Sequence, residues 1–419
     1  MKGRRVYGFL FASSLGTFLE FFDLALYSFC SAIIAKHFFP DGDSLLAILA
    51  TWAIFAVSYL VRPLGAIWLG YLADVHSSRH AMVLSMAMMG IATTAMGLLP
   101  TYSQIGIFAP IILLLLRILQ SVAVSPEYNL PSVFIKNNNW FKNHFGLVSS
   151  LSAAVTGLGM MSASWIMAKI LNDISINDVP EYYWRLPFIF AGLLVGTVGI
   201  YFRWNMDDSL TKPTPKVGPL KLVFKLQRHD FLKATFLAGY IGCITYVLFS
   251  YLIYILGNLR AMPLGAALDV LGSASLILPI FSLLAGYCSD RIPRHILMLV
   301  AAIMIGASGY TLFSYIQIVS LTTVKIQCGI MLASLGFFAG SFPGYLAELF
   351  AKEYRYTGSF LAYNIGMSWI GGISPLLLIG LSKLNVMFPV IIVVIYSILV
   401  MLLVARPLVE FGTKRHGMV

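Results

Sequence analysis

Twelve stretches of this chain are apolar for about twenty residues or more, the length an α-helix needs to cross the hydrocarbon core of a bilayer. They fall at about 6–36, 45–73, 80–99, 104–135, 145–171, 184–203, 231–257, 266–288, 295–317, 324–350, 357–381 and 387–405. Lipid offers no water to an open backbone group, so each run must satisfy its own amides and carbonyls as a helix. Runs beyond the minimum imply tilt or extension past the lipid, not further crossings. Of 419 residues, 59% are hydrophobic and 11% charged, and the mean hydropathy is +0.85. A soluble domain carries about 25% charged residues. The sequence therefore predicts an all-α membrane protein of twelve transmembrane helices.

A net charge of +11 would suggest nucleic acid in a soluble protein. Here the bases sort by side. With the N-terminus inside, twenty Lys and Arg fall in inner segments and six in outer ones, and Arg62 and Arg117 remain within spans. Arg203 is counted with the inner set, at the head of a basic interval that runs to Lys233. The bias follows the positive-inside rule. It predicts a multi-pass protein of the inner (plasma) membrane with both termini cytoplasmic, and no nucleic-acid partner. The opening Met-Lys-Gly-Arg-Arg resembles a secretory leader, but the run behind it is too long and holds Glu20 and Asp23, so it reads as a permanent span. Cys30, Cys243, Cys288 and Cys328 all lie in spans without metal-ligand spacing and imply no disulfide framework. The sequence holds no nucleotide-binding glycine loop, metal-ligand cluster or nucleophile beside a base. No cofactor and no enzymatic activity are expected. The expected partners are a small-molecule substrate, protons and the lipid bilayer, with the monomer as functional unit.

The longest polar interval, residues 204–230, reads as a cytoplasmic linker between a six-span half at 1–203 and another at 231–419 that ends in a short cytoplasmic tail. GYLADVHSSRHAMVL at 70–84 and GYCSDRIPRHILMLV at 286–300 look like two copies of one pattern, each between the second and third span of its half. Parallel repeats of this kind mark transporters built from two bundles around a central site. Glycine permits close helix contact. An Asp at one helix end can pair with bases and with the backbone N–H groups that open the next helix. Gly70, Asp74, Arg79, Asp290, Arg291 and Arg294 are therefore candidate gate residues, with a solvated turn as the alternative for the first copy.

Within the first span, Glu20 and Asp23 share one face about halfway through the membrane. An ionisable group there costs about 2.5–3.5 kcal/mol on insertion scales and usually faces a cavity or a partner. Arg117 lies at comparable depth in the fourth span, so a pair between Arg117 and Asp23, with Glu20 beside it, is expected across a cavity of the first half. An opposing charge favours an ionised carboxylate, whereas burial without one favours the protonated form. Making and breaking the pair would then bind and release a proton; a static pair joining two helices is the alternative. Glu127 reads as a further proton carrier, as a gate partner, or as a carboxylate near the inner interface. Arg62 reads as an anion-binding residue, a gate residue or a snorkelling anchor, and Arg185 as an interfacial anchor. Gln120, Tyr27, Tyr363, Asn364 and Trp369, with Tyr240 and Tyr246, are candidate cavity residues, where aromatic rings could hold a cationic solute or simply pack.

The loop copies resemble the signature of the major facilitator superfamily, roughly G-x-x-x-D-R-x-G-R-K/R. Gly286, Asp290, Arg291 and Arg294 keep it, with Pro293 in the glycine place. Gly70, Asp74 and Arg79 keep it in part, with Ser77 and Ser78 where Gly and Arg are usual. Further segments resemble the metabolite:proton symporter family: G-x-x-x-E-F-F-D-x-x-x-Y from Gly16, R-P-L-G from Arg62, R-x-x-Q-x-x-x-x-x-x-E-Y from Arg117, W-R-L-P-F from Trp184, and residues 348–375. In the last segment Glu348, Arg355, Tyr356, Thr357, Gly358, Tyr363, Asn364, Gly371, Gly372 and Pro375 occupy the expected places, and Glu348 and Arg355 are taken as gate residues. That family includes proton-coupled importers of proline and betaine, α-ketoglutarate, citrate and shikimate. The resemblance implies two pseudosymmetric six-helix bundles, alternating access, and proton symport of a small carboxylate-bearing metabolite, either an organic acid or a zwitterion. There are three departures, of which the first weakens the transfer of substrate and the last argues against osmotic gating. Ser121 and Ser125-Pro126 stand where the family has glycines, Asp207-Asp208-Ser209 replaces Glu-Thr-Pro, and the long tail of osmosensing relatives is not expected here. A proton-antiport exporter, an importer of a polycarboxylate such as a citrate-type siderophore, and a non-transporting sensor on the same fold remain open alternatives.

Overall fold

The computed structural model describes residues 2–40, 44–137, 141–173, 180–204, 219–385 and 387–416; most of the interval read as a linker, including Asp207, Asp208 and Ser209, lies outside the described residues. Twelve helices make up the membrane part. In the first half they are α1 Lys2–Phe29, α2 Ser44–Val75, α3 Ser78–Leu98, α4 Phe108–Val124, α5 Phe145–Asp173 and α6 Tyr183–Trp204. In the second they are α7 Arg228–Asn258, α8 Leu264–Ser289, α9 Arg294–Tyr315, α10 Leu321–Leu349, α11 and α12 Met387–His416. Helix α11 comes in two parts, Arg355–Ile365 and Ser374–Leu384, joined by a wide turn at Gly366–Gly371. Ten of the twelve are each long and apolar enough to cross a membrane.

The exceptions are α4 and α11. Helix α4 has 17 residues and stops at Val124 instead of continuing through the run expected at 104–135. Pro126 has no N–H to donate and clashes with the preceding turn, so the chain turns over Ser125–Asn129 and restarts as a short helix at Leu130–Asn137.

The halves repeat one packing plan. Helix α1 packs on α5, α2 on α4, and α3 on α4 and α6; their counterparts α7 on α11, α8 on α10, and α9 on α10 and α12 do the same. Between halves the contacts are again paired, α5 with α8 and α11 with α2. This is a two-bundle, pseudosymmetric twelve-helix fold. Apolar side chains such as Phe190 and Leu402 are left on its outer surface. In a membrane protein that surface meets lipid rather than water.

Candidate functional site

The chemistry starts on α1, where Glu20 and Asp23 project one turn apart. Each meets an arginine from a different helix. Arg62 of α2 bonds Glu20 Oε1, and Arg117 Nη1 of α4 donates to Asp23 Oδ2 at 2.8 Å. All four side chains are at most 5% exposed. Arg117 Nη1 also donates to Gln120 Oε1 at 2.6 Å, and Gln120 Nε2 donates to Thr93 Oγ1 at 2.8 Å. The Tyr27 ring lies 3.6 Å from the Arg117 guanidinium carbon, and Tyr59 lies 5.4 Å from that of Arg62. Desolvated cation–π contacts of this kind help keep a guanidinium in place.

Five polar atoms of these residues are buried yet bond nothing: Glu20 Oε2, Asp23 Oδ1, Arg62 Nε, and Arg117 Nε and Nη2. Buried polar atoms are nearly always paired, and each exception calls for a reason. The four residues line one cavity of about 20 Å³ with Phe55, Tyr59 and Gln120, room for about one water. Its lining comes from the first half, and α7 approaches it with Tyr246, edge-on to Tyr59 at 6.2 Å.

A third buried pair lies in the turn after α4. Glu127 accepts from Arg203 of α6 on both oxygens, at 2.9 and 2.6 Å, and Ser85 of α3 donates to it as well. Both charged side chains are wholly buried.

The two loop copies meet on one face of the molecule, called the basic face below. Asp74 accepts from the backbone N–H groups of Tyr356 and Thr357 at 3.3 and 2.8 Å, and from the Thr357 hydroxyl at 2.6 Å. Asp290 accepts from the N–H groups of Gly146 and Leu147 at 2.6 and 3.2 Å. Each Asp thus caps the fifth helix of the opposite half, α11 or α5, where helix dipole and open amides favour a negative charge. The loop glycines allow the approach: a Cβ at Gly70 would come within 3.0 Å of Thr357 Cα, and one at Gly286 within 2.8 Å of the Gly146 carbonyl oxygen. Glu348 bridges the halves beside this latch, bonding Lys136 at 2.9 Å and Arg294. Arg355 donates to Asn137 Oδ1 at 2.5 Å and to Phe350 O at 2.9 Å.

Two buried arginine–carboxylate pairs around a cavity of the first half, and two halves latched by paired loop aspartates, agree with what the chain matches as a whole: the Major Facilitator Superfamily, over residues 13–375. The chain belongs to that superfamily. It is similar to the alpha-ketoglutarate permease of Escherichia coli (strain K12), 28% identical, with 91% of this chain and 88% of the permease covered. A putative proline/betaine transporter of Staphylococcus aureus (strain COL) is 27% identical over 87% of this chain and 80% of the transporter. Among solved structures, the proton:xylose symporter XylE bound to 6-bromo-6-deoxy-D-glucose superposes with a TM-score of 0.73 at 13% identity, covering 96% and 95% of the two chains. This facilitator protein is a membrane transporter, not an enzyme.

Several candidate residues sit elsewhere than the sequence implied. Glu20 is paired with Arg62 and does not share Arg117. Glu127 is wholly buried in the first bundle, held by Arg203 of α6 and Ser85 of α3. Arg203, counted with the inner bases at the head of the basic interval, is its buried partner; a base in the last turn of an apolar helix is the signal that points to it. The loop aspartates cap helices of the opposite half, not the next helix. Arg79 lies over the Trp204 ring at 5.4 Å and Arg291 over the Tyr287 ring at 4.1 Å. Trp369 is 45% exposed and donates to Leu60 O at 3.3 Å, so it stands on the outer surface between α2 and α11 and does not line the cavity. Tyr240 is also absent from the cavity; its hydroxyl lies 2.7 Å from Ser397 Oγ. Tyr363 and Asn364 meet the turn after α4, where Tyr363 stacks on Tyr128 and Asn364 donates to Ser125 O. Arg185 donates to Gly97 O and Leu99 O.

Proposed function

We propose that this facilitator protein is a proton-coupled symporter that imports a small carboxylate-bearing metabolite, an organic acid or a zwitterion of the proline or betaine kind. The observation that carries this reading is the pair Arg117–Asp23, with Nη2 and Nε of Arg117 unbonded beside the cavity. A guanidinium offers a planar, two-pronged fork for one carboxylate. A solute carboxylate that takes Arg117 displaces Asp23, which loses its counter-charge in a buried place and is neutralised by a proton. Solute and proton then bind together and leave together. Glu20 and Arg62 form an adjoining second pair that can respond in the same way, while Glu127, bonded by Arg203 on both oxygens, keeps its partner.

The basic face is taken as cytoplasmic by the positive-inside bias, in an inner membrane with both termini inside. Residues 1–203 and 231–419 then move as two bundles joined by 204–230, opening alternately around the midplane site. The printed names of the relatives, alpha-ketoglutarate permease and proline/betaine transporter, support the solute class, and XylE supports proton symport. One proton moving down 100 mV supplies about 2.3 kcal/mol, roughly fiftyfold accumulation.

The test is uptake into proteoliposomes under an imposed pH gradient, with labelled α-ketoglutarate, citrate, proline and betaine. Acid outside is expected to drive accumulation of one class, and collapsing the gradient to release it. Accumulation only with acid inside would establish an exporter instead, and binding without flux a sensor.

A further inference from the structure

Pro126 cannot donate to Val122, and α4 opens there. Yet each carbonyl from Val122 to Glu127 finds a donor. Val122 O and Ala123 O accept from the hydroxyls of Ser125 and Ser85, both at 2.9 Å. Val124 O accepts from Glu127 N at 3.1 Å, and Pro126 O from Leu130 N at 3.0 Å. Ser125 O takes Asn364 Nδ2 of α11 at 2.6 Å, and Glu127 O takes the Thr17 hydroxyl of α1 at 3.3 Å. Backbone groups in a membrane interior must be satisfied locally, and here the work is shared between both halves.

The side chains of the turn divide in the same way. Glu127 points into the first half, onto Arg203. Tyr128 points to the second half: it stacks on Tyr363 at 4.5 Å between centroids and 3° between planes, and its hydroxyl reaches Ala339 O of α10 at 3.4 Å. Asn129 Nδ2 and Oδ1, Asn364 Oδ1 and the Tyr363 hydroxyl are buried and bond nothing. Unused capacity in a buried segment is rare and suits one that exchanges partners between two states.

We propose that residues 125–128 are the element through which the charge site is coupled to the latch. Arg203, acting through Glu127, fixes the turn to the first half, and Asn364 and Tyr128 clasp it to the second. Arg117 lies two helical turns earlier on α4, so its departure from Asp23 moves the same element. Release of Asn364 from Ser125 accompanies parting of the halves at the basic face. Arg203 and Asn364 are positioning residues, neither touching the solute. This inference rests on the alternating-access part of the proposed function and not on the identity of solute or ion.

Hydrogen exchange read by mass spectrometry, on the full chain in lipid nanodiscs without solute, tests it. The reporters are segments 142–150 and 352–360, whose amides at Gly146, Leu147, Tyr356 and Thr357 bond the loop aspartates across the halves. Removing one buried hydrogen bond is worth about 1 kcal/mol, near fivefold in an equilibrium. Asn364→Ala is expected to speed exchange in both segments about fivefold while α9 and α12 keep native rates. Tyr128→Phe, which loses only a long hydroxyl contact, speeds the same segments by about twofold. Arg203→Gln, which strands the buried Glu127 carboxylate, speeds the same segments more than Asn364→Ala does, and Arg203→Lys, which keeps the charge, acts less than Arg203→Gln. If Asn364→Ala accelerates the whole chain, it has unfolded, and Tyr128→Phe decides. Unchanged exchange in both reporter segments overturns the proposal. The measurement needs no transport, so failure of the uptake assay and failure of the coupling element are read separately.

Discussion

The two halves share a packing plan and differ in what they bury. In the first, α1 faces α2 and α4 with two arginine–carboxylate pairs, and a third pair joins the turn after α4 to α6. In the second, among the described residues, no buried ion pair lies within the bundle. The counterpart helix α7 instead packs Tyr240 against Tyr396 and Phe338 and bonds its hydroxyl to Ser397. A buried charge pair adds little stability over an apolar packing of similar volume, so the first half keeps its charges at a cost that the second avoids. The comparison teaches that symmetry here belongs to the framework and the latch, while the buried arginine–carboxylate pairs sit on one side of the pseudo-axis.

The widest break in that comparison comes from Arg117. Arg117→Ala leaves Asp23 buried without its counter-charge, a change worth about 3–5 kcal/mol. A large fall in melting temperature and complete loss of uptake are expected. Converting the whole pair, Arg117→Met with Asp23→Leu, should restore most of the stability and none of the uptake. A pair variant that still accumulates solute would move the chemistry elsewhere. Asp23→Asn is gentler. It keeps the shape and a hydrogen-bond partner for Arg117 but cannot release a proton. Solute exchange between pre-loaded vesicles and medium is expected to persist, with gradient-driven accumulation reduced at least tenfold. Equal loss of exchange and accumulation would make Asp23 a binding residue without a coupling role.

Hydropathy and charge make the framework legible, because a helix is the only way to carry such runs through lipid, and because Asp74 and Asp290 recur with the same neighbours. The site is legible in its residue types and less so in its pairings. Helical periodicity puts Glu20 and Asp23 on one face of α1 but says nothing about which helix faces each, and Arg62 and Arg117 divide them. Arg203 was lost to a different cause. Its apolar run ends on it at 203, and a base at such an end was counted with the basic interval that follows, whereas packing turns it inward onto Glu127. Which amides Asp74 and Asp290 cap is a matter of how two bundles dock, and no local pattern carries that.

The latch is where the halves are most alike, so matched variants there should give matched effects. Asp74→Asn and Asp290→Asn each weaken charge-assisted bonds to helix-opening amides, worth about 1.5–3 kcal/mol for hydrogen bonds to charged groups. Each is expected to expose the basic face to a membrane-impermeant thiol reagent, read at a cysteine introduced at Ser150, and to lower uptake severalfold without abolishing it. Strongly unequal labelling by the two would show that the latch is asymmetric too.

The smallest effect is expected from Tyr240→Phe, the mildest change to the interior of the second half. Ser397 Oγ already donates to Val393 O at 2.9 Å, so the Tyr240 hydroxyl is the donor to Ser397, and its loss leaves Ser397 with its own donor bond intact. One neutral hydrogen bond disappears and no charge is stranded, for about 1 kcal/mol. A slight drop in melting temperature with uptake within about twofold of native is expected. If Tyr240→Phe instead abolished uptake as Arg117→Ala does, the interior of α7 would share in the chemistry, and the one-sided assignment of the transport site would fall.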